Sequence, residues 1–275
     1  MKIAELIDAL SLAGVSESKA EAYILVEHLF GVDHAHALLD KDREYDKGVL
    51  EEVIRKREKK QPLQYILGEW SFMGHLFKVK EGCLIPRPDT EILVYEAIRL
   101  LNEGACVLDL CTGSGCIGIS LLKAREDIKN AVLVDISPVA LEIARENISR
   151  LGVGERCLAV ECDIARGFPK GRFDMIVSNP PYIPSADIDT LSDEVKNEPM
   201  LALDGGEDGL DLVRVIIDNA PKSLLPNGYL LIEHGYDQAD KIREIMDRRV
   251  ALGEYKHYKI VKDYGGNDRV LIAQI

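Results

Sequence analysis

Two short segments hold residue types and spacings from which chemistry can be built. In V-L-D-L-C-T-G-S-G-C-I-G, Gly113, Gly115 and Gly118 follow an apolar, strand-like run and open a helix-like one. Glycine allows a tight turn and close approach of a ligand, and the amino end of a helix offers backbone N–H groups without partners. Asp135, at the end of the next apolar run, is placed to accept from two ribose hydroxyls of a nucleoside. The turn also fits the dinucleotide pattern G-x-G-x-x-G letter for letter, so NAD is one candidate ligand. Asp109 separates the candidates, because a carboxylate just ahead of the glycines meets a cationic amino-acid end but repels a pyrophosphate. The balance favours S-adenosylmethionine. A bland reading stands beside both: glycines that serve only a strand–helix turn, with an ordinary capping acid.

The second segment is N-P-P-Y, residues 179 to 182, directly after the apolar run Phe173 to Ser178. Two consecutive prolines cannot continue a central strand, so the chain must turn at the carboxyl edge of a sheet, where open α/β folds bind ligands. There Asn179 can direct a side-chain acceptor into the crevice, Pro180 its backbone carbonyl, and Tyr182 a flat apolar wall. Two acceptors and a wall describe a receptor for a planar NH₂ group. Such a nitrogen is a poor nucleophile because its lone pair is delocalised. Accepting both of its protons orients it and favours the electron distribution that develops on attack. A methyl on a sulfonium is already activated, so no strong base is required before transfer. The plain alternative is an Asn turn closed by rigid prolines, with Tyr182 packed in the core.

These segments need a scaffold, and the rest of the chain reads as one. Residues 1–62 have helical periodicity: Ile3, Leu6, Ile7 and Leu10 recur on one side, Ser16 is a candidate cap for a second helix, and Val49, Leu50, Val53 and Ile54 form another apolar face. Residues 63–88 read as a linker with a hairpin. Gly68, Gly74 and Gly82 punctuate short runs at Tyr65 to Leu67, Leu76 to Val79 and Cys83 to Ile85, and Pro86 and Pro88 hold the loop before a helix near Thr90. Residues 89–275 alternate strands with helices, which predicts a largely parallel sheet covered on both faces. Tyr258 to Val261 and Val270 to Ile275, separated by D-Y-G-G-N-D-R, predict a closing antiparallel hairpin.

Composition narrows the partners. The 275 residues carry 34 Lys plus Arg against 47 Asp plus Glu, a net charge of -13, which disfavours binding along a polyanion. The basic run R-K-R-E-K-K at 55 to 60 reads as a solvated helix end, and the acidic segments 187 to 198 and 204 to 209 as solvated loops or a face for a basic protein. The start M-K-I-A-E-L-I-D is unlike a secretory leader and no long apolar span occurs, so a cytoplasmic protein away from membranes is expected. The cysteines at 83, 106, 111, 116, 157 and 162 suit buried thiols in a reducing compartment, and their spacing predicts no metal site.

The ordered set Q-P-L-Q-Y-I-L-G (61–68), I-P-R-P-D-T-E (85–91), D-L-C-T-G-S-G (109–115), V-D-I-S (134–137) and V-S-N-P-P-Y-I (177–183) resembles the class I methyltransferase fold. Over nearly the whole chain it resembles the peptide chain release factor glutamine methyltransferases. That resemblance implies a Rossmann-like, seven-stranded, mostly parallel sheet with a C-terminal antiparallel hairpin, beside a smaller N-terminal helical domain that recognises substrate. It implies methyl transfer from S-adenosylmethionine to the glutamine amide of the Gly-Gly-Gln motif in release factors 1 and 2. Cys111, Thr112, Gly113, Ser114 and Gly115 would surround the methionine part of the cofactor, with Asp109 and Asp135 alongside and Ile164 in the place of an aromatic residue against adenine. Asn179, Pro180, Pro181 and Tyr182 would hold the glutamine, with Asn179 also beside the cofactor. Cys111 departs from the glycine usual in the family. N-P-P-Y is shared with adenine-N6 DNA methyltransferases, the nearest alternative; an NAD enzyme and a non-catalytic interaction module are two others.

Overall fold

Helix-forming periodicity at the amino end and strand–helix alternation beyond it separate into two compact units in the computed structural model, which describes residues 1–275. The first unit comprises Met1–Glu69 with Ser192–Asn197, and the second Trp70–Leu191 with Glu198–Ile275.

The first unit is built from α1 (Ile3–Leu12), α2 (Ser18–Phe30), α3 (His34–Leu39), α4 (Lys47–Glu58) and α5 (Leu63–Leu67), with Asp193–Lys196 adding a short helix, α9 in chain order. Leu6, Leu10, Leu25 and Leu50 meet in its core. Asp33 and Asp46 cap α3 and α4 by accepting from His36 N and Val49 N. Ser16 does not cap α2, whose first residue follows Glu17 with no side-chain cap. Residues 65 to 67 are helical and not a strand. Pro62 sets the entry to α5 and Gly68, at φ 76, terminates it, so Leu63 and Tyr65 turn inward on one face. The compact unit therefore continues past residue 62 to Glu69.

The basic run is not wholly solvated. Arg57 is 2% exposed, donates to both carboxylate oxygens of Glu21, and reaches Glu194 at 2.8 Å. The acidic segment after residue 187 thus supplies one arm of a buried ion cluster.

β1 (Glu69–Phe72), all but Glu69 in the second unit, and β2 (His75–Lys78) form a hairpin whose turn, Met73 at φ 50 and Gly74 at φ 74, takes the twist that two-residue hairpins favour. Cys83 to Ile85 is not a strand; Ile85 N donates to Glu198 Oε2 at 3.0 Å instead of to a ladder. The main sheet contains β3 (Cys106–Leu110), β4 (Asn130–Asp135), β5 (Cys157–Glu161), β6 (Phe173–Ser178), β7 (Leu224–Glu233), β8 (His257–Lys262) and β9 (Asp268–Gln274). Its order is β5-β4-β3-β6-β7-β9-β8, parallel through β7 and antiparallel at β9 and β8. Alternation along the strands feeds two cores. Val107 and Leu133 pack with α6 (Glu91–Leu100), α7 (Cys116–Ala124) and α8 (Pro138–Arg150), while Leu108 and Leu110 pack with α10 (Asp211–Ser223) and α11 (Ala239–Ala251). The expected seven-stranded, mostly parallel sheet is present. No helix is long and apolar enough to cross a membrane.

Because truncation of Arg57 strands the Glu21 carboxylate inside the helical unit, Arg57→Ala is expected to lower the unfolding free energy by about 3–5 kcal/mol. Denaturant titration checks this, and a wild-type midpoint would contradict it.

Candidate active site

The strand order reverses between β3 and β6, and at such a switch point the carboxyl ends of neighbouring strands leave a crevice. Leu110 and Ser178 are partners in register, and Ser178 Oγ donates to the Leu110 carbonyl at 2.8 Å. The next residues, Cys111 and Asn179, therefore begin side by side. Both line a cavity of ≈ 290 Å³.

On the β3 side the turn is set by glycine geometry. Gly113 (φ 56) and Gly115 (φ 81) occupy the left-handed region, and a Cβ on Gly118 would lie 2.3 Å from Leu133 Cδ2. Only glycine lets α7 lie this close to β4. Cys111 also sits at φ 55, a conformation that costs an L-residue about 1–2 kcal/mol, which gives the glycine usual there a physical reason. Burial, reinforced by Asp135, pushes the Cys111 thiol pKa up.

Asp135 Oδ2 accepts from Gly113 N at 2.8 Å and Oδ1 from Ser137 N at 2.9 Å. Burial raises its pKa while these N–H groups oppose the rise. Each oxygen keeps acceptor capacity for a hydroxyl. Cys111, Thr112, Gly113, Ser114, Asp135 and Ile164 all lie on the cavity wall. Gly115 does not; a Cβ there would strike Ile119 and Leu133, so it serves helix packing.

Asp109 is the clearest departure from expectation. It is 0% exposed and off the wall, with Oδ2 accepting from Thr112 Oγ1 at 2.6 Å and Gly118 N at 2.9 Å. Burial pushes its pKa to about 7 despite those two donors. It braces the turn from below, where the sequence suggested contact with a cationic ligand end.

On the β6 side, Asn179 and Pro181 line the cavity, whereas Pro180 and Tyr182 are not on its wall. Tyr182 turns its hydroxyl to Glu233 Oε1 at 3.3 Å, and its carbonyl accepts from Gln238 Nε2 at 2.7 Å. The D-G-G-E-D-G loop exposes Asp204 and Glu207 but buries Gly205 and Gly209. A Cβ on Gly209 would come within 2.2 Å of the Tyr182 carbonyl oxygen, so this loop is a buttress for N-P-P-Y and not merely solvated.

Several supporting residues were not singled out from sequence. Asn147 is fully buried on α8 and bonds Lys78 N, Lys78 O and Ser114 O, tying the hairpin to the glycine turn. Arg87, which the sequence does mark within I-P-R-P-D-T-E as a candidate for pairing, is on the wall and pairs with Glu198. Thr90 and Glu233 stand behind Asn179 and Tyr182. Their one sequence signal is a polar residue closing an otherwise apolar strand or sitting within I-P-R-P-D-T-E. Burial pushes Glu233 up to about 7, against the pull of Thr90 and Arg269.

The sheet order, with its antiparallel β9 and β8 after five parallel strands, defines the class I methyltransferase fold, with the glycine turn and Asp135 at its switch point. Residues 89–198 match the model for the methyltransferase small domain and residues 3–68 that for the PrmC N-terminal domain. The chain is 40% identical over 266 residues to the release factor glutamine methyltransferase of Geobacter sulfurreducens, covering 95% of this chain and 91% of that one. It is 39% identical over 270 residues to the protein of that description from Rhodospirillum rubrum, covering 96% and 81%. A methyltransferase from Pyrococcus furiosus shares the fold, with a TM-score of 0.53 at 20% identity over 72% of this chain and 87% of that one. The chain belongs to the release factor glutamine methyltransferases.

Two outcomes follow from this geometry. Cys111→Gly is expected to be more stable than Cys111→Ala by about 1 kcal/mol, since both remove the thiol and only one relieves the left-handed backbone. Equal urea midpoints would contradict that. Glu233 has a folded-state pKa raised from 4.5 to about 7, so the stability it contributes is fully present below 4.5 and is lost as pH rises through about 7. Across that window the unfolding free energy of wild type should fall relative to Glu233→Gln by on the order of 2–3 kcal/mol. A pH-independent difference would refute the assignment.

Proposed function

We propose that the cavity holds S-adenosylmethionine, with Asp135 on the ribose hydroxyls, Ile164 against the adenine, and Cys111 to Ser114 around the methionine part. The residues suit this group: a partly buried carboxylate with acceptor capacity to spare, an aliphatic wall, and a glycine turn that leaves room. Bound there, the cofactor supplies a methyl made electrophilic by its sulfonium. As a member of its family, the chain transfers that methyl to the side-chain amide nitrogen of a glutamine in release factors. Release factors 1 and 2, through their Gly-Gly-Gln loops, are the substrates this reading names.

The chain's own part is orientation. Asn179 Oδ1 and the Pro180 carbonyl accept the two N–H protons of the glutamine amide, holding its nitrogen with the amide plane fixed. Those acceptors also favour the positive charge that gathers on nitrogen as the new bond forms, so the proton can leave late without a strong base. Tyr182, held at its hydroxyl by Glu233 and at its carbonyl by Gln238, keeps the N-P-P-Y backbone in place. The observation that carries the reading is the Leu110–Ser178 register, which starts the cofactor turn and N-P-P-Y at one edge. The cytoplasm, which keeps thiols such as Cys111 and Cys116 reduced, is the compartment this reading places it in.

Asn179→Ala is expected to lower turnover by about 10²–10³-fold while cofactor affinity stays near wild type, and Asp135→Ala to weaken cofactor affinity through its lost bonds. Rates and equilibrium titration separate these effects. Mass spectrometry of treated release factor should find one added methyl on the glutamine amide. Methyl incorporation into DNA and not into release factor would overturn the reading in favour of adenine chemistry, which the net charge of -13 disfavours.

A further inference from the structure

The cavity wall is charged unevenly. Its acids, Asp135 and Asp163, sit at and just beyond the carboxyl ends of β4 and β5, on one side of the glycine turn. Its one cation is Arg87. The loop that carries Arg87 crosses the turn. A Cβ on Gly82 would lie 2.9 Å from Val139 Cγ1 of α8, one on Gly113 would lie 3.7 Å from Cys83 Sγ, and Asn179 Nδ2 donates to Thr90 Oγ1 at 3.1 Å. Arg87, just ahead of Thr90, therefore stands toward the β6 side, across the turn from both acids. Its Nη2 donates to Glu198 Oε1, and Ile85 N donates to Glu198 Oε2 at 3.0 Å, so a carboxylate only 2% exposed is held by the loop and in turn holds the guanidinium. Nε and Nη1 of Arg87 have no protein partner, and the side chain is 34% exposed along the wall. A guanidinium presents its donors in a planar fork, so anchoring one nitrogen fixes where the others point.

We propose that Arg87, aimed by Glu198, binds the carboxylate at the amino-acid end of S-adenosylmethionine. The inference rests on the reading that the cavity holds this cofactor, and it adds the cofactor's direction. With its ribose on Asp135, the molecule extends past the glycine turn and its far end arrives at Arg87. That end is a zwitterion, and its carboxylate is the only anion that the cofactor or the glutamine amide carries. Asp109, the acid whose spacing suggests contact with the ammonium, is buried beneath the turn. Direction therefore comes from the opposite charge, through the carboxylate. Because Glu198 offsets the charge of Arg87, the fork acts through directed hydrogen bonds, and a ligand end without a carboxylate gains little from it.

The test pairs each protein with two ligands. Wild type, Arg87→Met and Arg87→Lys are titrated with S-adenosylhomocysteine and with its analogue lacking only the carboxylate, folding is followed by thermal unfolding, and KM for release factor is measured at saturating cofactor. Wild type should bind the analogue about 10–100-fold more weakly than S-adenosylhomocysteine. Arg87→Met should lose about 10–100-fold for S-adenosylhomocysteine yet bind the analogue within about threefold of wild type, because the group that Arg87 holds is already gone. Arg87→Lys, which keeps a cation and loses the fork, should show the same pattern with a smaller loss. Equal losses for both ligands would overturn the proposal, since damage to the cavity does not discriminate between them. Unchanged affinity for S-adenosylhomocysteine would overturn it as well, and a raised KM for release factor would then assign the cation to the peptide. Wild type that binds neither nucleoside would instead remove the reading of the cavity.

Discussion

The molecule's chemistry depends on the register between two neighbouring parallel strands. Leu110 on β3 and Ser178 on β6 are partners, and the bond from Ser178 Oγ to the Leu110 carbonyl fastens the ladder at its last rung. Beyond that rung each chain must leave the sheet, one through a glycine turn and the other through two prolines. A slip by one residue would turn every side chain to the opposite face, exchanging the cavity-lining and core-facing sets. Since the strand order reverses at this pair, no crossover helix covers the crevice.

Around that edge the protein spends buried acids as struts. Asp109 ties the turn to α7, Asp135 spans Gly113 and Ser137, Glu198 holds Arg87 and Ile85, and Glu233 anchors the Tyr182 hydroxyl. The first three carboxylates each fix two pieces of backbone or side chain that would otherwise be free to drift. Desolvation raises Asp109 and Glu233 toward neutrality, and the donors around them hold part of the charge in place. Glycines allow close approach elsewhere, and the N-P-P-Y buttress at Gly209 works by the same steric logic as the helix contact at Gly118.

Much of this was legible in the residues. The sheet strands announce themselves because each is a short apolar run bounded by turn formers, and the β6 span agrees with the run Phe173 to Ser178 residue for residue. The cavity positions of Asp135, Ile164 and Asn179 follow from where strands end. Three things were hidden. Tyr65 to Leu67 has the apolar density of a strand, and only the pairing of Pro62 with a left-handed Gly68 makes it helical. Asp109 looks like a ligand contact, because sequence spacing does not reveal that its side chain points under the turn. Arg57 and Glu194 are far apart in the chain, so their ion pair leaves no local signal. Thr90, Asn147 and Glu233 share that trait: their partners come from distant segments.

The most direct measurement is a structure of the protein with S-adenosylhomocysteine and a release-factor peptide carrying the Gly-Gly-Gln loop. The glutamine nitrogen should face the sulfur and donate at about 2.9 Å to both Asn179 Oδ1 and the Pro180 carbonyl, with the Asn179 NH₂ still on Thr90. A glutamine seated elsewhere, or an Asn179 amide turned with its NH₂ toward the substrate nitrogen, would contradict the account.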